Sequence, residues 1–196
     1  MRALILAIVL CCASGCLGGG SAPVRLYTLT PLAALQAGTD AAGPEGTAIV
    51  LRPVTMPGYL DRIQIVTRRG HDEIALGEFD RWSDPLKEGA TRVLGENLAG
   101  LLREDRIAVL PHRGSQPVKY TVAVDVARFE GNGGGDVALE ARWRIAGADG
   151  RELTVRRSTF SEATGGPGYG PLVAAMSRAL GALSRDIATA IGDLPR

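Results

Sequence analysis

The chain has 196 residues, which is the size of a single domain and is long enough to bury a hydrophobic core. It carries 22 Lys and Arg residues against 21 Asp and Glu residues, and this balance gives no general attraction to nucleic acid. All three cysteines lie at or before position 16, so the chain beyond Cys16 has no intrachain disulfide and its stability is expected to rest on packing.

The first sixteen residues have the order of a secretory signal. Arg2 supplies a positive charge, an uncharged apolar run follows over residues 3–12, and small residues then lead to Cys16. The apolar run is too short to span a bilayer, for which about 20 apolar residues are needed. We therefore predict a signal peptide over residues 1–15, which is removed from the mature chain.

Cys16 is predicted to be the first residue of the mature chain and to carry a lipid. The segment Ala13–Cys16 resembles the bacterial lipobox, in which the cysteine thiol receives a diacylglycerol and the chain is cut just before it. In such lipoproteins Asp after the cysteine retains the protein at the inner membrane. Leu17 stands there in this chain, so the resemblance implies the outer membrane. Two other interpretations are a plain secreted protein with an incidental Cys16 and a buried apolar N-terminal helix or strand.

A lipidated flexible tether over residues 16–23 is predicted to precede a single domain over residues 24–193. Gly and Ser make the seven residues after Cys16 flexible, and such a stretch reaches at most about 25 Å. An anchor with two or more acyl chains holds a protein firmly at a membrane. We therefore expect the domain to hang close to the bilayer.

The first half of the domain alternates between strand patterns and turns. Strand formers predict strands over residues 24–30, 47–53, 63–69 and 73–77, with an irregular loop over residues 31–46 and a turn-rich segment over residues 56–62. The apolar period then changes to that of a helix from Leu86 to about Arg103. Ser83 or Asp84 is the expected N-cap, with Pro85 in the first turn.

The second half of the domain is predicted to add four strands and a second helix. The strands are expected over residues 107–110, 118–130, 136–146 and 152–161, and the helix is expected from Pro171 to about Ile191. In the long strand, alternation places Val126 on one face and both Ala127 and Phe129 on the other. The order of elements fits a mixed sheet with two helices packed on it, which is an α/β class.

Four residues are candidate contacts with a partner protein: Tyr59, Leu60, Arg62 and Trp82. Tyr59, Leu60 and Arg62 follow a Pro-Gly turn, and Tyr and Arg are common anchors of interfaces. The alternative for Tyr59 and Leu60 is that they tuck back under the third strand. Trp82 is expected to pack beside the first helix, with an interface role as the alternative.

Catalytic, metal and cofactor sites are not expected from the sequence. His71 and His112 are the only histidines, and a zinc or catalytic centre would need further ligands or a nucleophile. The segment Gly165–Gly170 precedes a helix, yet it lacks the Lys and the glycine spacing of a phosphate-binding P-loop. We interpret it as a flexible loop that leads into the helix.

Several motifs in order resemble one known family, the PqiC-type or ABC-type transport auxiliary lipoproteins. The motifs occupy residues 26–29, 56–68, 82–86, 92–98 and 120–130, with Tyr169 and residues 183–188 near the end. The resemblance runs from about Leu26 to Ile191, which is nearly all of the predicted mature chain. It rests on their order as well as on their individual residues, and the segment over residues 56–68 is the most specific.

The resemblance implies a non-enzymatic role in lipid transport. Lipoproteins of this family accompany transporters built on a mammalian-cell-entry (MCE) domain protein, which moves lipids between the inner and outer membranes. The resemblance implies placement at the outer-membrane end, a homo-oligomeric ring, and a three-layer α/β/α fold with a mixed sheet, similar to the TolB N-terminal domain. The alternatives are a stand-alone envelope lipoprotein, which would bind lipid in an internal apolar cavity or bind another periplasmic protein, and a periplasmic hydrolase with converging titratable groups.

Overall fold

Eight strands and two helices make up the described part of the chain, which in this computed structural model comprises residues 22–32, 47–103, 107–110, 118–132 and 135–194. The strands are β1 (Arg25–Tyr27), β2 (Thr47–Leu51), β3 (Gln64–Arg69), β4 (Glu73–Trp82), β5 (Ile107–Leu110), β6 (Val118–Asn132), β7 (Asp136–Gly147) and β8 (Glu152–Ala163). The helices are α1 (Leu86–Leu101) and α2 (Tyr169–Gly192). The predicted signal peptide, Cys16, the tether up to residue 21, the loop over residues 33–46 and His112 lie outside the described residues.

The long strand β6 is the centre of the sheet. β7 runs antiparallel along one edge of β6, and β8 runs antiparallel to β7. Two strands lie end to end along the other edge: β2 is parallel to the first part of β6, and β3 is parallel to its last residues. β5 continues the sheet beyond β2, and β4 and β1 continue it beyond β3. The sheet is therefore mixed, as predicted.

A bulge in β6 makes the prediction for Phe129 wrong. Val126 pairs with Ala141, and Phe129 pairs with Leu139, which lies two residues away on β7. Because residues two apart on a strand share a face, Val126 and Phe129 both face the core. The extra residue is Ala127, which is exposed, and the register shifts at this point.

Both helices lie on one face of the sheet and pack against each other. Gly95 of α1 lies against Leu51, and Leu172 of α2 lies against Gly131. Leu51 is in register with Val122 of β6. Val122 and Gly131 pair with Ile145 and Val137 of β7, and these two partners share a face because they are eight residues apart on one strand. Val122 and Gly131 therefore share a face too, and both helices cover that face.

The α/β class with a mixed sheet and two main helices is confirmed. The resemblance implied helices on both faces of the sheet, whereas in the described ranges both helices cover the same face. Part of the opposite face is covered by the loop that joins β2 to β3, through Tyr59. We call this opposite face the open face.

The first helix begins differently from the sequence expectation. Pro85 occupies the N-cap and makes no side-chain cap, while its carbonyl oxygen accepts from the amides of Glu88 and Gly89. Neither of the expected residues, Ser83 and Asp84, is the N-cap. Ser83 Oγ instead donates to Asp84 Oδ2 at 3.3 Å. β4 is also longer than predicted, because its pairing with β3 resumes at Arg81 after an irregular stretch.

Candidate functional site

The segment over residues 56–63 is the last part of the connection between β2 and β3, which lie end to end beside β6. We call it the β2–β3 loop. Two consecutive turns fold it: the amide of Leu60 donates to the Pro57 carbonyl at 3.0 Å, and that of Asp61 donates to Gly58 at 3.2 Å. Leu60 is only 1% exposed and belongs to the hydrophobic core. The predicted turn-rich segment is therefore observed, with one side of it buried.

A buried carboxylate holds this loop on the sheet. Glu130 of β6 is fully buried, and its partner on β7 is Ala138, which places it on the open face. The Tyr59 hydroxyl donates to Glu130 Oε2 at 2.7 Å, and Arg68 Nε donates to Oε1 at 2.7 Å. Arg128 Nε also donates to Oε1, at 3.1 Å. We call these four residues the Glu130 cluster.

The Glu130 cluster is suited to holding structure and not to acid–base chemistry at neutral pH. Burial, followed by the hydrogen bond to Glu130, raises the pKa of Tyr59 to about 12. The hydrogen bond to Glu130 also raises the pKa of Arg68. Tyr59 therefore stays protonated and Arg68 stays charged across the physiological range. The Arg68 guanidinium also lies 6.0 Å from the centre of the Tyr59 ring, which adds a cation–π contact.

The four predicted partner contacts do not form one exposed surface. Leu60 is in the core and Trp82 is 5% exposed, so neither presents its side chain to a partner in this structure. Leu60 in the core and Tyr59 half-buried against Glu130 match the alternative that these two residues tuck back. The burial of Trp82 matches its expected packing. Arg62 alone of the four is exposed.

Ile63 is an exposed residue of the same loop that the sequence did not single out. Its side chain is 52% exposed, although the pattern places it at the start of a strand. Its carbonyl accepts from the Trp82 amide at 2.7 Å, so its backbone is paired while its side chain is not covered. Together with Asp61 and Arg62 it makes a short exposed run at the end of the loop.

A second polar cluster fastens the beginning of the domain. Arg25 makes two hydrogen bonds of 2.8 Å to the two carboxylate oxygens of Asp80, and the Tyr27 hydroxyl donates to Asp80 Oδ1 at 2.9 Å. Asp80 is 4% exposed, and the hydrogen bond from Arg25 lowers its pKa. The cluster ties β1 to β4 where the chain enters the domain. The sequence analysis did not identify Asp80, because Asp80 lies beyond the end of the strand predicted over residues 73–77.

An apolar groove runs between α1 and the edge of the sheet formed by β2 and β5. Its volume is about 550 Å³. It is lined by Leu51, Pro53, Lys87, Glu88, Thr91, Arg92, Gly95, Glu96, Ala99 and Val109. The stand-alone lipid-binding alternative predicts an internal cavity, whereas this space is open to solvent at the surface.

The remaining sequence candidates lie apart from these features. His71 is exposed in the turn between β3 and β4, and its nearest acidic neighbour is Asp72, at 3.9 Å. Within the described ranges no three His, Cys, Asp or Glu side chains come together as a metal site. The loop over residues 165–170 leads into α2, which begins at Tyr169 and has Gly168 at its N-cap with φ of 90°. No helix in these ranges has the length and apolar character needed to cross a bilayer.

Comparisons with solved structures show which fold this is. A crystal structure of an uncharacterized protein superposes with a TM-score of 0.74 at 19% identity, covering 87% of this chain and 99% of that one. Protein XCC0632 from Xanthomonas campestris, of the DUF330 family, superposes with a TM-score of 0.67 at 17% identity, covering 84% of this chain and 93% of that one. At these identities the likeness concerns the fold alone.

The family follows from the sequence itself. Curated proteins give no significant match to this chain. A family profile described as "ABC-type transport auxiliary lipoprotein component" matches residues 27–188, which span β1 to most of α2. This range contains most of the motifs on which the resemblance was based, including the whole β2–β3 loop. The chain therefore belongs to the ABC-type transport auxiliary lipoprotein family.

Proposed function

We propose that this chain is the outer-membrane lipoprotein subunit of an MCE-type ABC transport system that moves lipids between the inner and outer membranes and so supports membrane integrity. The main support for this proposal is the family match over residues 27–188, which follows a lipobox-like segment that ends at Cys16. In this proposal the acylated Cys16 anchors the domain on the periplasmic side. The protein acts by contact, without catalysis or a cofactor.

The partner in this proposal is the MCE-domain protein of the same system, and the contact is the exposed end of the β2–β3 loop. Arg62 and Ile63 are exposed there, and Tyr59 behind them is tied to a fully buried carboxylate. A loop whose base is fixed loses little conformational entropy when it binds. Tyr59, Leu60 and Trp82 then serve by holding the loop in shape, and Arg62 touches the partner.

Affinity capture from solubilised envelopes tests this contact. The tagged wild-type protein is expected to recover an MCE-domain protein, identified by mass spectrometry. Arg62→Glu should reduce that recovery several-fold, because it reverses the charge of an exposed interface anchor. Arg157→Glu on β8 is the matched control, since Arg157 is also an exposed arginine, and it should leave recovery unchanged. Equal recovery with both variants would remove the loop from the interface, and no MCE-domain protein with the wild type would argue against the partner itself.

Assembly into a homo-oligomeric ring is part of the same proposal, and it rests on the family resemblance. Chemical cross-linking in intact envelopes, followed by native mass measurement of the purified protein, is expected to give one closed stoichiometry above the dimer. A single monomeric mass under both conditions would contradict the ring.

The apolar groove beside α1 supports a second candidate, the binding of a lipid acyl chain by this protein alone. A volume of about 550 Å³ with a largely hydrocarbon lining suits one such chain. Lipid extracted from the purified protein should then fall when the groove is filled by Ala99→Trp. The matched control is Ala174→Trp, because Ala174 is an exposed alanine of α2 away from the groove. Equal lipid content in the two variants would exclude the groove.

A further inference from the structure

Exposed large apolar side chains are concentrated at one end of the sheet. Among the described residues, seven such side chains are exposed, and five of them belong to the region of β1, β3 and β4. They are Val24 (48%), Leu26 (65%), Ile63 (52%), Ile74 (38%) and Leu76 (42%). The other two, Leu153 and Val155, lie on β8 beyond the opposite edge of β6. A cluster of this kind marks an interaction surface more often than scattered single residues do.

Three of these side chains lie on the open face of the sheet. Ile74 pairs with Arg68, whose guanidinium reaches Glu130 on that face, and Leu76 lies two residues along the same strand. On β1 the residues on either side of Leu26 bind Asp80, and one of them, Tyr27, contacts Tyr169 of α2. Leu26 therefore points the other way, to the open face. Leu26, Ile74 and Leu76, with Val24 beside them, are here called the tether-side patch.

The direction of β1 brings the anchor to this patch. β1 is parallel to β4, and Arg25 lies opposite Asp80. The chain before Arg25 therefore enters β1 from the end of β4 at which Ile74 and Leu76 lie. Only seven residues separate Cys16 from Val24, and that length spans at most about 25 Å. A lipid on Cys16 consequently holds Val24 and its neighbours within a short distance of the bilayer.

We propose that the tether-side patch rests on the phospholipid bilayer and that its occupant is the membrane interface itself. This inference rests on the lipid anchor of the proposed function. Apolar side chains at an interface gain free energy by leaving water, and the anchor raises their effective concentration at the surface. Nearby charges are mixed, since Arg25 and Arg69 are ion-paired with Asp80 and Glu73. Contact should therefore depend on the anchor and apolar area and only weakly on anionic lipid.

Such contact would fix how the domain stands on the membrane. The β1 and β4 end of the sheet would face the headgroups, while β8 would point away from them. The short tether and the patch together would then hold the domain in one orientation on the membrane, and the domain would not reorient freely.

Site-specific fluorescence tests the docked orientation. The full-length lipoprotein is reconstituted in phosphatidylethanolamine and phosphatidylglycerol vesicles, with Leu76→Cys or Val155→Cys labelled by an environment-sensitive dye. Leu76 and Val155 are matched because each is 42% exposed, and the native Cys16 is blocked by its lipid. We expect the Leu76 label to be several-fold less accessible to aqueous iodide than the Val155 label. The difference should persist when phosphatidylglycerol is omitted.

The outcomes separate this inference from the anchor on which it rests. Flotation and the acyl mass of the N-terminal peptide report the anchor independently of the dye. Anchored protein with equal quenching at the two positions would overturn the docked orientation and leave the proposed function standing. Protection of the Leu76 label in detergent, together with a dimer mass, would assign the patch to a second copy of the chain and overturn the membrane contact. Missing acyl mass would overturn both.

Discussion

Glu130 shows how a single buried charge can determine the shape of a surface loop. Burial of an ionised carboxylate is costly unless hydrogen bonds and opposite charges replace water. Here two arginines and the Tyr59 hydroxyl supply them, and both arginines remain partly solvated, at 23% and 30% side-chain exposure. The loop is thus folded back because Tyr59 completes the environment of a carboxylate on a neighbouring strand.

Removing that carboxylate should destabilise the domain. We expect Glu130→Ala to lower the free energy of unfolding by about 3 kcal/mol, since two guanidinium groups and a buried hydroxyl lose their acceptor. Tyr59→Phe should cost about 1 kcal/mol, because Glu130 keeps both arginines. Denaturant titration measures both values. Glu140→Ala is the control, because Glu140 is 43% exposed and makes a loose ion pair of 3.8 Å with Arg128. A loss of stability in Glu140→Ala as large as in Glu130→Ala would show that the burial of Glu130 is not what matters.

Asp80 should make stability depend on pH. Its ordinary pKa is near 3.8 and is lowered in the folded state, first by the hydrogen bond from Arg25. A lowered folded-state pKa stabilises the protein above the ordinary value, and this stabilisation is lost as the pH falls through the folded-state pKa. Asp80→Asn should therefore cost about 1–2 kcal/mol at pH 7, a modest value because Arg25 is 64% exposed.

The difference between wild type and Asp80→Asn is expected to shrink as the pH falls below about 4. Thermal unfolding from pH 7 to pH 2 measures it. Glu73→Gln removes an exposed pair with Arg69 and should change stability by less than about 0.5 kcal/mol at any pH. A constant difference for Asp80→Asn over the whole range would show that its charge is not what stabilises β1.

The elements were predictable where the local pattern alone decides them, and less so where pairing decides them. Alternation in β7 and the apolar stripe of α2 gave both elements to within a few residues at each end. The face predicted for Phe129 is wrong because a bulge adds one residue to β6. No residue type near Ala127 indicates that bulge in the sequence. The end-to-end arrangement of β2 and β3 likewise depends on their shared neighbour.

The two helices are joined by a buried polar link. Asn97 of α1 is fully buried, and its amide donates to Ser184 Oγ of α2 at 3.0 Å. The side-chain oxygen of Asn97, Oδ1, accepts from the backbone amide of Leu32 at 2.8 Å, which ties the segment after β1 to the helix pair. Apolar replacement of Asn97 would leave the Leu32 amide without its acceptor, although Ser184 would keep its bond to the Leu180 carbonyl.

We expect Asn97→Leu to lower the free energy of unfolding by about 2 kcal/mol and to speed hydrogen exchange at Leu32. Hydrogen exchange followed by mass spectrometry measures the second effect. Thr189→Ala is the control, because Thr189 is an exposed residue of α2 whose hydroxyl bonds only within its own helix. Unchanged exchange at Leu32 in Asn97→Leu would show that the link does not hold this segment.

At the scale of the whole molecule, the sheet separates a helix-covered face from an open face. The class and the mixed sheet were predictable from the order of elements, but the number of layers was not, because periodicity gives the buried side of a helix and not the face of the sheet that it covers. The candidate loop was found from its Pro-Gly turn with Tyr and Arg. The packing of Trp82 was the expectation from its place before α1, and the burial of Leu60 was one of the two alternatives for the loop. The exposure of Ile63 follows from tertiary contacts that no local pattern encodes.

The family and the fold are consistent with a domain that works by touching other components of the envelope. The Glu130 cluster holds one loop in place, and the hydrogen bonds of Arg25 and Tyr27 to Asp80 fasten β1, the strand next to the tether. Both the proposed partner contact and the proposed membrane contact depend on the domain being held at the bilayer. The acylation of Cys16 is therefore the central claim.

Mass spectrometry of the mature N-terminal peptide from native envelopes tests that claim most directly. We expect a peptide that begins at Cys16 and carries the mass of a diacylglycerol on its thiol, with or without a further acyl group on its amine. A mature chain that begins at any other residue, or a Cys16 peptide with no added acyl mass, would contradict it.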